Sequence, residues 1–163
     1  MKYLLDSNIF METKNRYYGF DFCPAFWEWI DLQHQAGVLF SIEKVLDEIR
    51  AGDDDLTEWA EARRELFLRP GPSDTTSLRL TSAWANSADN SSGAKRTFLE
   101  VADSFLVAQA HAAEVAVVTH EVSNGSPNQI KIPEACAGLE VRCINPFEML
   151  RIPGFKSYFF GRN

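Results

Sequence analysis

The sequence predicts an α/β fold of three layers, with helices on both sides of a mostly parallel central sheet. Three observations predict it. Short apolar runs suit strands buried on both faces, amphipathic helical stretches separate them, and acidic residues stand where two of the runs end.

The segment Lys2–Asp6 is apolar and then abruptly polar, as a buried strand is when it ends at a working edge, and Asp6 stands at its carboxyl end. From Phe22 to Ala36 the residues Phe22, Phe26, Trp29, Ile30 and Leu32 recur at helical spacing. Pro24 fits only a first turn, and Gly37 is placed to end the helix. Val38–Phe40 reads as a second strand. Ser41 reads as the N-cap of a helix carrying Ile42, Val45, Leu46 and Ile49 on one face and stopping at Gly52. A further amphipathic helix is expected over Asp54–Phe67, before the break at Pro70-Gly71-Pro72, with Ser73 or Asp74 capping the next helix.

Asn86–Lys95 is polar and contains glycine, so it reads as an exposed loop. Thr97 and Glu100 have capping-box spacing and open a helix expected to run to Ala113. Val115–Thr119 is then a third strand and Val141–Ile144 a fourth, joined by right-handed crossovers.

A chain of 163 residues, 45% hydrophobic and 24% charged, suits one domain spanning residues 1–163. No apolar run approaches the roughly 18 residues that cross a bilayer. Met1–Phe10 breaks its apolar stretch too early for a signal peptide, so a cytoplasmic protein without a membrane partner is expected. Cys23, Cys136 and Cys143 form no CxxC pair, and His34, His111 and His120 are scattered, which indicates neither a disulfide framework nor a zinc site. The net charge of −7 argues against broad nonspecific nucleic-acid binding, an objection that a cation-filled acidic site would escape locally.

Ligands of open α/β sheets bind beyond the carboxyl ends of the strands, where Asp6 and Thr119-His120-Glu121 fall. Glu48 borders the apolar face of its helix. Asp103 interrupts the row Leu99, Asp103, Leu106, Ala110, and a buried carboxylate needs a partner. Four carboxylates brought together raise one another's proton affinity unless positive charge fills the gap, and oxygen ligands favour Mg²⁺ or Mn²⁺. Each acid also has a structural reading: an Asx-turn at Asp6, a solvated helix residue at Glu48, an N-cap at Asp103 and a loop acid at Glu121. Asp53–Asp55 reads as charge at a helix start.

The ordered set Asp6-x-Asn8, Glu48 on a capped helix, Ala102-Asp103 opening an Ala-rich helix and Thr119-x-Glu121 ending a strand resembles the PIN-domain family. Asn15–Tyr18, Pro24-x-Phe26-Trp27 and Lys131–Cys136 look more particularly like its DUF4411 branch. The resemblance implies a ribonuclease that uses Mg²⁺ or Mn²⁺ to hydrolyse RNA phosphodiester bonds, often as the toxin of a prokaryotic toxin–antitoxin pair, with an antitoxin protein as partner. Asp6, Glu48 and Asp103 match the family's core acids, which makes them catalytic residues and metal ligands by implication. Asn8 and Thr119 match supporting polar positions. Glu121 matches the fourth acidic position and is by implication a fourth catalytic residue and metal ligand, although Asp or Asn is usual there and its longer side chain is a departure.

Lys14, Arg16, Tyr17 and Tyr18 follow the first strand closely enough to supply phosphate contacts and base stacking, or else form a packed surface loop. A homodimer through the helices stays open. Two other readings compete. A haloacid-dehalogenase-type phosphatase would want an aspartate where Asn8 stands, and a PIN-like scaffold would bind RNA or protein without cutting.

Overall fold

A computed structural model of the protein describes residues 1–17, 19–21 and 23–155, with the side chain of Tyr17 left out. Among these lie five strands: β1 (Tyr3–Leu5), β2 (Leu39–Ile42), β3 (Phe67–Leu68), β4 (Ala116–Val118) and β5 (Cys143–Ile144). They pair in parallel throughout, in the order β3-β2-β1-β4-β5. The helices α1 (Ser7–Glu12), α2 (Pro24–Gln35), α3 (Glu43–Arg50), α4 (Asp55–Glu61), α5 (Asp74–Ser87), α6 (Ser92–Glu100), α7 (Ala102–Ala113), α8 (Ile132–Gly138) and α9 (Pro146–Leu150) flank this sheet and complete the three-layer arrangement.

β1 is central because it is apolar at every position, and all three of its residues are buried. The chain leaves it first toward β2 and returns on its other side as β4, so the strand order reverses at β1. In open α/β sheets such a reversal leaves a crevice for ligands beyond the carboxyl ends of the strands, here those of β1 and β4. The backbone is stitched together there: Asp6 N donates to Val118 O at 3.0 Å and Thr119 N to Ile144 O at 3.1 Å.

α7 packs on β1, β2 and β4 and against α5. Leu106, Val107 and Ala110 on it are wholly buried, and burying a Leu or Val side chain contributes roughly 1.5–3 kcal/mol. On the α2 side, Trp29 and Ile30 are equally buried. Gly37 takes the left-handed conformation just past α2, at φ 71°, where a side chain would be strained.

Several elements differ from expectation for identifiable reasons. β2 runs on to Ile42, so Ser41 lies in the strand and not at a helix cap; its hydroxyl donates to Leu5 O at 2.6 Å. The helix expected over Asp54–Phe67 ends at Glu61. Asp54 caps it by accepting from Leu56 N and Thr57 N, and after the 3₁₀ turn Arg64–Leu66 the apolar pair Phe67–Leu68 becomes the edge strand β3. Ser73 sits at the N-cap position of α5 without a side-chain capping bond, while Asp74 accepts from Gly71 N.

The expected Asn86–Lys95 loop is shorter than its composition suggests. Ser91 caps α6 by accepting from Ala94 N at 3.2 Å. The helix expected from Thr97 to Ala113 is two helices, α6 and α7, because Val101 takes an extended conformation between them. Leu99 and Asp103 therefore do not share one helical stripe. α1, α8 and α9 are short helices that the apolar periodicity did not announce. Phe22, Tyr18 and the Tyr17 side chain, named in the sequence reading, lie outside the described residues. Among the described residues no helix is long and apolar enough to cross a membrane.

α8 approaches α5 through Gly138, where an added Cβ would lie 1.9 Å from Trp84 Nε1. Gly138→Ala is expected to lower stability by about 1–3 kcal/mol, the cost of overpacking a filled contact. A thermal melt checks this, and an unchanged midpoint would show that α8 can slide away from Trp84.

Candidate functional site

β4 delivers Thr119 to the crevice almost fully buried, and its hydroxyl uses its whole hydrogen-bonding capacity there. Thr119 Oγ1 accepts from Asn8 Nδ2 at 3.0 Å and from Glu121 N at 3.0 Å, which fills both lone pairs. Its single proton goes to Asp6 Oδ2 at 2.8 Å. The other Asp6 oxygen accepts from Ser7 N at 2.6 Å, so Asp6 also caps α1. Asn8 completes the link by accepting from His120 N at 3.0 Å through Oδ1. One residue just past β4 and two from the start of α1 thus fix the Asp6 carboxyl at the sheet edge.

Glu48 reaches the site from α3. Its Oε1 accepts from Ala102 N at 3.1 Å and so caps α7 from outside, since Val101 at the N-cap position makes no side-chain capping bond. The next residue, Asp103, is partly buried and accepts no hydrogen bond among the described residues. Burial pushes its carboxyl up to about 8, with the charges of Asp6, Glu121 and Glu48 adding to the effect and Lys131 opposing it. Burial likewise pushes Asp6 up to about 7, reinforced by Glu121 and Glu48 and resisted by the bonds from Thr119 and Ser7.

Glu121 is held differently. Its Oε1 accepts from Lys131 Nζ at 2.7 Å and its Oε2 from Ile132 N at 2.8 Å, at the start of α8. The Glu121 carboxylate in turn raises the Lys131 ammonium above the ordinary lysine value. Asp103, Glu121 and Lys131 line one cleft of about 230 Å³, together with Thr97 and Asn128.

The fold therefore brings Asp6, Glu48, Asp103 and Glu121 within reach of one another's charge, with Asn8 and Thr119 as their supports. Among the described residues no three His, Cys, Asp or Glu side chains already form an array for a metal ion. Asp103 nevertheless fits a hard cation, being a half-buried oxygen donor without a hydrogen-bond donor of its own and under repulsion from three neighbouring acids.

Lys14 pairs with Asp54 and Asp55 at the start of α4. Arg16 is exposed on the π-helical turn Thr13–Tyr17 that continues α1. The neighbouring Cys143 thiol and burial hold the Cys136 thiol above its ordinary range. Lys131 is the site residue for which sequence reasoning found no role. The signal was present in Lys131-Ile132-Pro133-Glu134, since Pro at the first turn and Glu134 accepting from Lys131 N at 3.1 Å mark a helix start.

A family model described as a domain of unknown function, DUF4411, matches residues 3–157. The chain belongs to the DUF4411 family. No curated protein and no solved structure matches it. All the site residues named above fall inside the DUF4411 span.

In this DUF4411 chain both raised carboxyls bind protons more tightly in the folded state, at about 7 and about 8, than an ordinary aspartate does at 3.8 in the unfolded chain. The folded state then holds more protons than the unfolded one between these values, and stability falls as pH rises through that window. With divalent cations chelated, the melting temperature is expected to drop between pH ~5 and pH ~8, by ~2–4 °C for each kcal/mol lost. The Asp6→Asn/Asp103→Asn variant should lose most of that slope. Equal slopes would mean that neither acid is strained in the fold.

Proposed function

We propose that this DUF4411 chain is a PIN-like, metal-dependent ribonuclease that hydrolyses RNA phosphodiester bonds. The observation that carries the reading is the pair Asp6 and Asp103. These are two carboxyls from different elements at the reversal point of a parallel sheet, each raised well above the carboxylate range by burial and by the neighbouring acids. Such a pair favours positive charge between its members.

On this reading Asp6 and Asp103, with the Glu48 oxygen not engaged at α7, would hold Mg²⁺ or Mn²⁺. The bound cation supplies Lewis acidity for attack on phosphorus and for departure of the leaving oxygen. Thr119 and Asn8 orient Asp6, and Glu48 sets α7 so that Asp103 faces the crevice. Exposed Arg16 suits a phosphate contact along the RNA. The resemblance to PIN-domain toxins supports a cytoplasmic toxin of a toxin–antitoxin pair, with an antitoxin protein as its partner.

Structured RNA incubated with the protein and Mn²⁺ tests the reading when fragments are followed over time. Wild type is expected to cleave, and Asp6→Asn/Asp103→Asn to cleave at least ~10²-fold more slowly, since even residues that only orient metal ligands cost 10–100-fold. Equal cleavage by both proteins would refute the assignment of these acids. No cleavage of any of several RNAs would favour a binding scaffold.

A further inference from the structure

Lys131 occupies an unusual place for a cation. It lines a cleft shared with two of the four acids, and its ammonium donates to one oxygen of Glu121 while the Ile132 amide donates to the other. We propose that Lys131 stands in for a second divalent cation, so that the chain binds a single divalent ion on the Asp6–Asp103 side of the site. This rests on the metal-nuclease reading and deepens it.

Three features of the structure carry the assignment. The Lys131 and Glu121 side chains are only 26% and 18% exposed, so their attraction is less screened by water than that of a surface pair. Glu121 already has an ammonium on one oxygen, whereas the donors to Asp6 are hydroxyls and a backbone amide and carry no charge, so the lysine supplies positive charge to the Glu121 side alone. Finally, α8 is fixed at both ends, by Glu134 accepting from Lys131 N at its start and by Gly138 against Trp84 at its close. The ammonium is therefore delivered from an anchored backbone.

A dication placed against Glu121 would also sit beside the Lys131 ammonium, and like charges in a partly dry cleft repel strongly. Asp103, by contrast, has no hydrogen-bond donor among the described residues, and Asp6 accepts only from the uncharged groups of Ser7 and Thr119, so neither has a bonded cation there. The asymmetry places the one ion there and leaves the Glu121 side to the lysine. The extra methylene of Glu121 acquires a purpose in this account, since it carries the carboxylate to α8.

The test is Mn²⁺ stoichiometry, measured on the metal-free full chain by titration calorimetry and by the loss of free Mn²⁺ signal in electron paramagnetic resonance. Wild type should bind one Mn²⁺ per chain, Asp6→Asn/Asp103→Asn none, and Lys131→Met two. Should the methionine variant lose its folded circular dichroism, Lys131→Gln keeps a donor to Glu121 and is likewise expected to bind two. Two ions in wild type, or one in both wild type and the Lys131 variants, overturns the proposal and leaves the nuclease reading standing. No binding by wild type removes both.

Discussion

The hydrogen bond from Thr119 to Asp6 is the constraint around which the site is arranged, because it ties the ends of the two strands at which the sheet order reverses. Thr119 can give its proton only to Asp6 once Asn8 and the Glu121 amide have filled its lone pairs. The consequence is energetic as well as geometric. Hydrogen bonds to a charged group contribute roughly 1.5–3 kcal/mol each, and Asp6 accepts from Thr119 and from both the amide and the hydroxyl of Ser7, yet its proton affinity still rises. Burial and the neighbouring acids outweigh the bonds. The fold holds this carboxyl in place at a cost that positive charge would relieve.

Asp103 shows the same balance without the compensating bonds. Its position depends on Glu48, a residue from another helix that supplies the capping acceptor which Val101 does not. Glu48 thus acts on the site through α7 as well as through its own charge. The four acids are in this sense unequal: Asp6 is clamped, Asp103 is placed and left unsatisfied, Glu48 shares itself with a helix end, and Glu121 is committed to Lys131 and α8.

Much of the architecture was legible because strands buried on both faces leave continuous apolar runs, as at Tyr3–Leu5 and Ala116–Val118. The acids were legible as candidates because they end such runs or interrupt apolar helices. What escaped were features decided by tertiary contact. Phe67–Leu68 matches the tail of a helical pattern and becomes a strand only because β2 offers it an edge. Ser41 looks like a helix cap, but its hydroxyl is claimed by Leu5 O. The break at Val101 is invisible to periodicity because apolar residues continue on both sides of it. Lys131 lies ten residues past Glu121, and nothing in the spacing announces that the two side chains meet.

The central claim is that Asp6 and Asp103 share a buried site whose charge calls for a cation. Carbon-13 NMR titration of the aspartate carboxyls, in metal-free protein and again with Mg²⁺ present, addresses it directly. Without metal, Asp6 is expected to titrate near 7 and Asp103 near 8, and both should return toward the ordinary carboxylate range with Mg²⁺. Ordinary values in the metal-free protein, or raised values that Mg²⁺ leaves unmoved, would contradict it.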